Sequence, residues 1–109
     1  MKVSEFAEKY GLKTLSLPNG EREITCGYIG DLLSWVMGRA KEGAAWITIM
    51  SNQNIVAVAS LTDVACIILA EDVALEDSII ENAKQKGVNI LGTPLPSYEA
   101  AALLVKEGI

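Results

Sequence analysis

The side chains that could do chemistry in this chain fall in two places. One is Ser51, Asn52, Gln53 and Asn54 together with Glu71, Asp72 and Thr93. Hydroxyls, carboxamides and two carboxylates could hold a polar small molecule, or a divalent cation through carboxylate and amide oxygens. The same residues also suit a plainer role, with the first group opening a helix and the acids as solvated turn residues. Glu71 and Asp72 are adjacent, so their side chains diverge and do not make a general acid–base pair. The second place is Gly27-Tyr28-Ile29-Gly30-Asp31. Glycines before a helix are the architecture of an anion cradle. Asp31, however, puts negative charge where the anion would sit, so the expectation is a tight turn and a helix capped by Asp31.

Catalysis finds little support. The 109 residues include no histidine, which removes the commonest general base and transition-metal ligand together. Cys26 and Cys66 form no CxxC, and with no histidine to lower their pKa both read as reduced structural thiols. No GxxxxGK[ST] loop is present, so phosphoryl transfer is not expected. No catalytic residue, metal or cofactor is expected. A net charge of −5, without a basic cluster, argues against nucleic acid and anionic membrane as partners. With no leader-like or membrane-length apolar run, the expectation is a cytoplasmic protein.

Leu32, Leu33, Trp35, Val36 and Met37 follow the glycine turn, with only Ser34 polar among them. At 100° per residue they spread around most of a helix. One face can pack on its own sheet, and the remainder predicts a homodimer surface. The alternative is a hairpin of the same chain covering the helix.

The elements that must position these residues follow from periodicity. Ser4 is expected to cap a helix carrying Phe6, Ala7 and Tyr10, stopped by Gly11. Pro18-Asn19-Gly20 predicts a hairpin. "AAWITIM" and "ACIILA" read as buried strands, apolar on both faces. Leu75, Ile79, Ile80 and Ala83 mark one face of a helix that Gly87 stops. "VNILGT" is a short strand, and Pro96-Ser97 opens a final helix ending at Gly108. Ser51 to Asp63 is ambiguous: Ile55, Val56 and Val58 favour strand, whereas a helix would complete a crossover between parallel strands. Helix is the reading. The fold class is therefore α/β: a single small domain over residues 1–109, with a largely parallel sheet flanked by helices, preceded by a helix and a β-hairpin. Ser51 to Asn54, Glu71, Asp72 and Thr93 then lie at the carboxyl ends of the parallel strands, where open α/β sheets bind ligands.

"GYIGDLLSWVMGRAKEGAAWITI", "NIVAVASLTDVACIIL" and "GVNILGTPLPSYEAAALL" together resemble the DRTGG domain family, and "VSEFAEKYGLKTL" is similar to the start of HPr kinase N-terminal domains. The resemblance implies a small α/β domain related to that N-terminal domain. Such domains occur alone or joined to phosphotransacetylase and to CBS-containing pyrophosphatase. It implies a regulatory or architectural role, often in subunit pairing, and no catalytic activity of the domain itself. The naming residues are absent. Ser51-Asn52 falls where other members carry Asp-Arg, and Ala70-Glu71-Asp72 where they carry Thr-Gly-Gly, which weakens an anion site there. The expectation is a self-pairing regulatory module. Its alternatives are a small-molecule sensor, of nucleotides for example, and an adaptor docking on a larger metabolic enzyme.

Overall fold

A computed structural model describes residues 1–109. Helix α1 (Val3–Tyr10) precedes strand β1 (Lys13–Ser16), and then β2 (Cys26–Ile29) and α2 (Leu33–Arg39) follow. The remainder alternates strictly: β3 (Ala44–Thr48), α3 (Asn54–Thr62), β4 (Cys66–Leu69), α4 (Asp77–Gln85), β5 (Ile90–Gly92) and α5 (Ser97–Lys106). The five strands form one sheet in the order β1-β5-β4-β3-β2, with only β1 antiparallel to its neighbour.

The strands sort their side chains by the period of two. Ala45, Ile47, Cys66, Ile68 and Leu91 face α1 and α5, where Phe6, Ala7, Ala100 and Leu104 meet them. Ala44, Trp46, Ile67, Leu69 and Ile90 face α2, α3 and α4, against Val36, Ile55, Val56, Ile79 and Ala83. Every residue of β3 and β4 is buried, as strands covered on both faces must be. The segment from Ser51 to Asp63 carries the helix α3 over Asn54–Thr62, as the crossover argument predicts.

The hairpin is a correction. β1 and β2 do not pair; they are the two opposite edges of the sheet. The Pro18-Asn19-Gly20 turn is real but is fastened to buried Asn89. The Asn89 carboxamide donates to the carbonyls of Asn19 (2.7 Å) and Ala65 (3.0 Å) and accepts from the Asn19 N–H (2.9 Å). The chain then passes the start of α1, where Val3 N–H donates to Arg22 O and Ile24 N–H to Met1 O, both at 2.9 Å. β1 pairs instead with β5, antiparallel, and β2 with β3, parallel. The first helix also starts earlier than Ser4: Lys2 holds the cap position, its N–H donating to Glu5 Oε1 at 2.9 Å.

Two glycines are required by space. A Cβ on Gly30 would lie 2.9 Å from the Tyr28 ring, and Gly43, at φ +80°, would bring one to 2.5 Å from Thr25 Oγ1. These glycines let the turn before α2 and the turn into β3 close tightly.

Candidate functional site

At the end of β3, Asp31 has a different job from the one its position suggests. Helix α2 begins at Leu33 with Leu32 at its cap position and no side-chain cap bond, so Asp31 is not the helix cap. Its Oδ1 accepts from the buried Thr48 hydroxyl (2.8 Å) and from the Ile49 N–H (3.0 Å). A buried hydroxyl and a backbone N–H leaving the sheet both need an acceptor, and a seven-residue helix offers a weaker demand. The glycine turn is likewise committed inward. Gly30 O accepts from Trp46 Nε1 at 2.9 Å, and Gly30 N–H donates to Ile47 O at 3.2 Å. No free amide cradle remains at Gly30.

The other strand-end residues are dispersed. Asn52 Oδ1 accepts from Asn54 N–H at 2.9 Å, a local turn that opens α3. Glu71 and Asp72 both take left-handed backbone, at φ 61° and 57°. Their N–H groups donate to Leu95 O and Thr93 O, both at 2.9 Å, which ties the end of β4 to the loop after β5. Thr93 is buried, and its hydroxyl accepts from Leu95 N–H at 3.2 Å.

Three grooves result, the first and third of them sharing Gln53. Ser51, Asn52 and Gln53 border one of about 360 Å³ beside Glu76 and Ser78. Asp72 and Thr93 border another, of about 550 Å³, with Lys13 and Asp77. Gln53 and Asn54 open into a third, of about 610 Å³, between α3 and α4. Glu71 borders none of the three. The cause is topological. A strand-end crevice forms where the strand order reverses and neighbouring helices leave to opposite faces. Here β2, β3, β4 and β5 follow one another across the sheet, and α2, α3 and α4 all cover the same face. The residues expected to make one rim therefore face different grooves.

The third groove also contains Ser60 on α3, Asn82 on α4 and Lys86 at the C-cap of α4, none of them marked by a sequence motif. The only local signal is the four-residue spacing of Asn82 and Lys86, about one helical turn. Nothing local relates them to Asn54.

No cluster of three or more Cys, Asp or Glu is close enough to hold a metal ion. Burial pushes the Cys66 thiol up to about 12, so it stays protonated and unreactive near neutral pH. Cys26 is half-buried and free.

The α2 helix divides the apolar residues expected at a dimer surface. Val36 is fully buried against Trp46 and its neighbours, and Leu33 packs half-buried on the same cluster, so Val36 belongs to the chain's own core. Leu32, Trp35 and Met37 remain 59%, 53% and 49% exposed. Ile29 at the end of β2 and Ile49 just beyond β3 are exposed too. The Arg39 guanidinium lies 3.8 Å over the Trp35 ring. This corner adjoins β2, a sheet edge without a second neighbour. No helix is long and apolar enough to cross a membrane.

Comparison with known proteins finds similarity to a domain family and to solved structures. The DRTGG domain family matches residues 29–106. Among solved structures, the chain is similar to the CBS and DRTGG domains of the regulatory region of Clostridium perfringens pyrophosphatase, complexed with its activator diadenosine tetraphosphate. The TM-score is 0.74 at 17% identity, covering 95% of this chain and 46% of that one. The chain thus spans about half the length of that structure, and at this identity the likeness speaks for the fold. No curated protein sequence gives a significant match.

Proposed function

The chain belongs to the DRTGG domain family, and from that premise we propose that residues 1–109 act as one non-catalytic regulatory module, working in the cytoplasm as a homodimer paired through the α2 corner. The observation that carries this reading is the exposure of Leu32, Trp35 and Met37 beside Ile29, Ile49 and the open β2 edge. Large apolar side chains left exposed on both flanks of one short helix and at the neighbouring strand ends suit a second copy as cover. A tryptophan stacked by an arginine is the side-chain chemistry that dominates interfaces. A two-fold axis through this corner would bring the same residues of two copies together.

Light scattering across a concentration series tests the pairing. The wild type should be a dimer whose melting temperature rises with concentration, and Trp35→Lys should be a monomer with an unchanged far-ultraviolet spectrum and a concentration-independent melting temperature. Val36→Ala is the contrast. Its side chain lies in the chain's own core, so it should lower stability by about 1–2 kcal/mol and leave the pairing intact. A wild-type monomer at high micromolar concentration would overturn the reading.

The activator bound to the clostridial regulatory region favours a second reading, in which this chain senses a small molecule. Ligand binding would regulate the dimer only by favouring one of two arrangements. Docking of the same α2 corner on a larger enzyme is the remaining alternative, since the clostridial domain is itself part of an enzyme's regulatory region. Co-purification of a larger enzyme with the wild type, lost in Trp35→Lys, would favour it.

A further inference from the structure

We propose that the groove between α3 and α4 is a binding site for a small organic anion, its acidic group on Lys86 and its polar body against Asn54, Ser60 and Asn82. The inference rests on the sensing reading and gives it a place away from the strand ends.

Charge singles this groove out. In a chain of net charge −5, both of the other polar grooves carry carboxylates, Glu76 in one and Asp72 with Asp77 in the other. The α3–α4 groove carries none. Its one charged residue is the exposed Lys86, which like Lys13, Arg39, Lys41 and Lys106 forms no ion pair; Lys13 shares its groove with Asp72 and Asp77, whereas Lys86 has no carboxylate beside it in the groove. A cation left without a carboxylate in an acidic protein favours an anionic guest.

Shape and chemistry agree. About 610 Å³ lies within the ordinary range of small-molecule sites. The floor is the buried Val56, and Ala57 and Leu61, the latter 70% exposed, form an apolar wall. Helix α3 reads "NIVAVASLT", apolar almost all round, yet Ala57 and Ser60 on this side are small and leave the space open. Asn82 on α4 and Lys86 at its C-cap lie four residues apart, about one helical turn, and both line the groove. Carboxamides at Asn54 and Asn82 offer a donor and an acceptor each, which suits the edge of a heterocycle or a polyol.

Amide chemical shifts of the intact isotope-labelled chain test this directly, with adenosine 5′-monophosphate, citrate and glucose 6-phosphate as the anions and adenosine as the neutral control. At least one anion should shift Asn54, Ser60, Asn82 and Lys86 saturably. Lys86→Glu should weaken that binding about tenfold or more, since it reverses the charge at the anion. Ser60→Leu, which fills the groove and leaves the charge, should abolish it. Unperturbed spectra of the free variants show that each is folded. Equal binding by adenosine, unchanged affinity in Lys86→Glu, or no groove shift with any of the three anions overturns the proposal. Saturable shifts at Glu71, Asp72 and Thr93 instead would sink the groove and keep the sensing reading. If no ligand produces shifts anywhere or raises the melting temperature, both readings fall.

Discussion

Asn89 shows at the level of one residue how this chain is tied together. Its side chain is buried, and it meets backbone from two distant segments: the turn at Asn19 and the start of β4 at Ala65. Both of its amide hydrogens and its oxygen are engaged. Asn89→Ala would leave the N–H and the carbonyl of Asn19 without this partner and open a small void. The expected loss is about 2–4 kcal/mol in urea unfolding, with the transition still cooperative. A loss below about 1 kcal/mol would mean that water replaces the carboxamide without penalty and that the turn is held by other contacts. Asn89→Asp keeps the acceptor for Asn19 N–H but removes both donors, so it should not rescue stability.

Among the elements, the turn after β4 is the most strained. Glu71 and Asp72 are consecutive residues with left-handed backbone, and neither is glycine. Glycine adopts this conformation without penalty, whereas a side chain, glutamate's above all, crowds the backbone there. Glu71→Gly and Asp72→Gly should each raise stability by about 0.5–1 kcal/mol, the relief of strain outweighing the added freedom of the unfolded chain. Denaturation midpoints check this, and an unchanged or lower stability would show that the left-handed pair is not strained. The same turn shows what the sequence leaves legible. The helices and parallel strands from Ala44 onward are readable because their apolar periods and glycine stops agree. Even α3 is readable from topology, although Ile55, Val56 and Val58 favour strand. The hairpin is not readable, because Pro18-Asn19-Gly20 announces a turn but not which strands flank it in the sheet; β1 and β2 find partners more than 70 and about 18 residues away. Asp31 fails as a cap for a similar reason, since its true donors are Thr48 and Ile49. The α3–α4 groove depends on how two helices sit side by side, which no local pattern encodes.

The two ends of the chain are joined across the molecule. Helices α1 and α5 cover the same face of the sheet. Near their C-terminal ends the Glu107 carboxylate accepts from Lys9 Nζ at 2.7 Å and from the Tyr10 hydroxyl. The Tyr10 ring packs on Phe6, with centroids 5.1 Å apart, so this contact continues into the core. The hydrogen bond from Lys9, then that from Tyr10, holds the Glu107 carboxyl below its usual 4.5. The bond to Glu107 in turn raises Lys9 and Tyr10 above their usual 10.5 and 10.0. A carboxyl lowered in the folded state adds stability that is present above 4.5 and lost as pH falls through the lowered value. The raised groups add stability that is present below about 10 and lost as pH rises through their raised values. Stability compared between the wild type and Glu107→Gln across pH reads this directly. The wild type should be the more stable at neutral pH, and the difference should shrink at both the acid and the alkaline limits. A difference that stays constant with pH would mean that Glu107 acts through packing alone. Because the bond closes a loop of nearly the whole chain, its loss should also speed hydrogen exchange in α1 and α5 together, while α3 and α4 on the far face keep their protection.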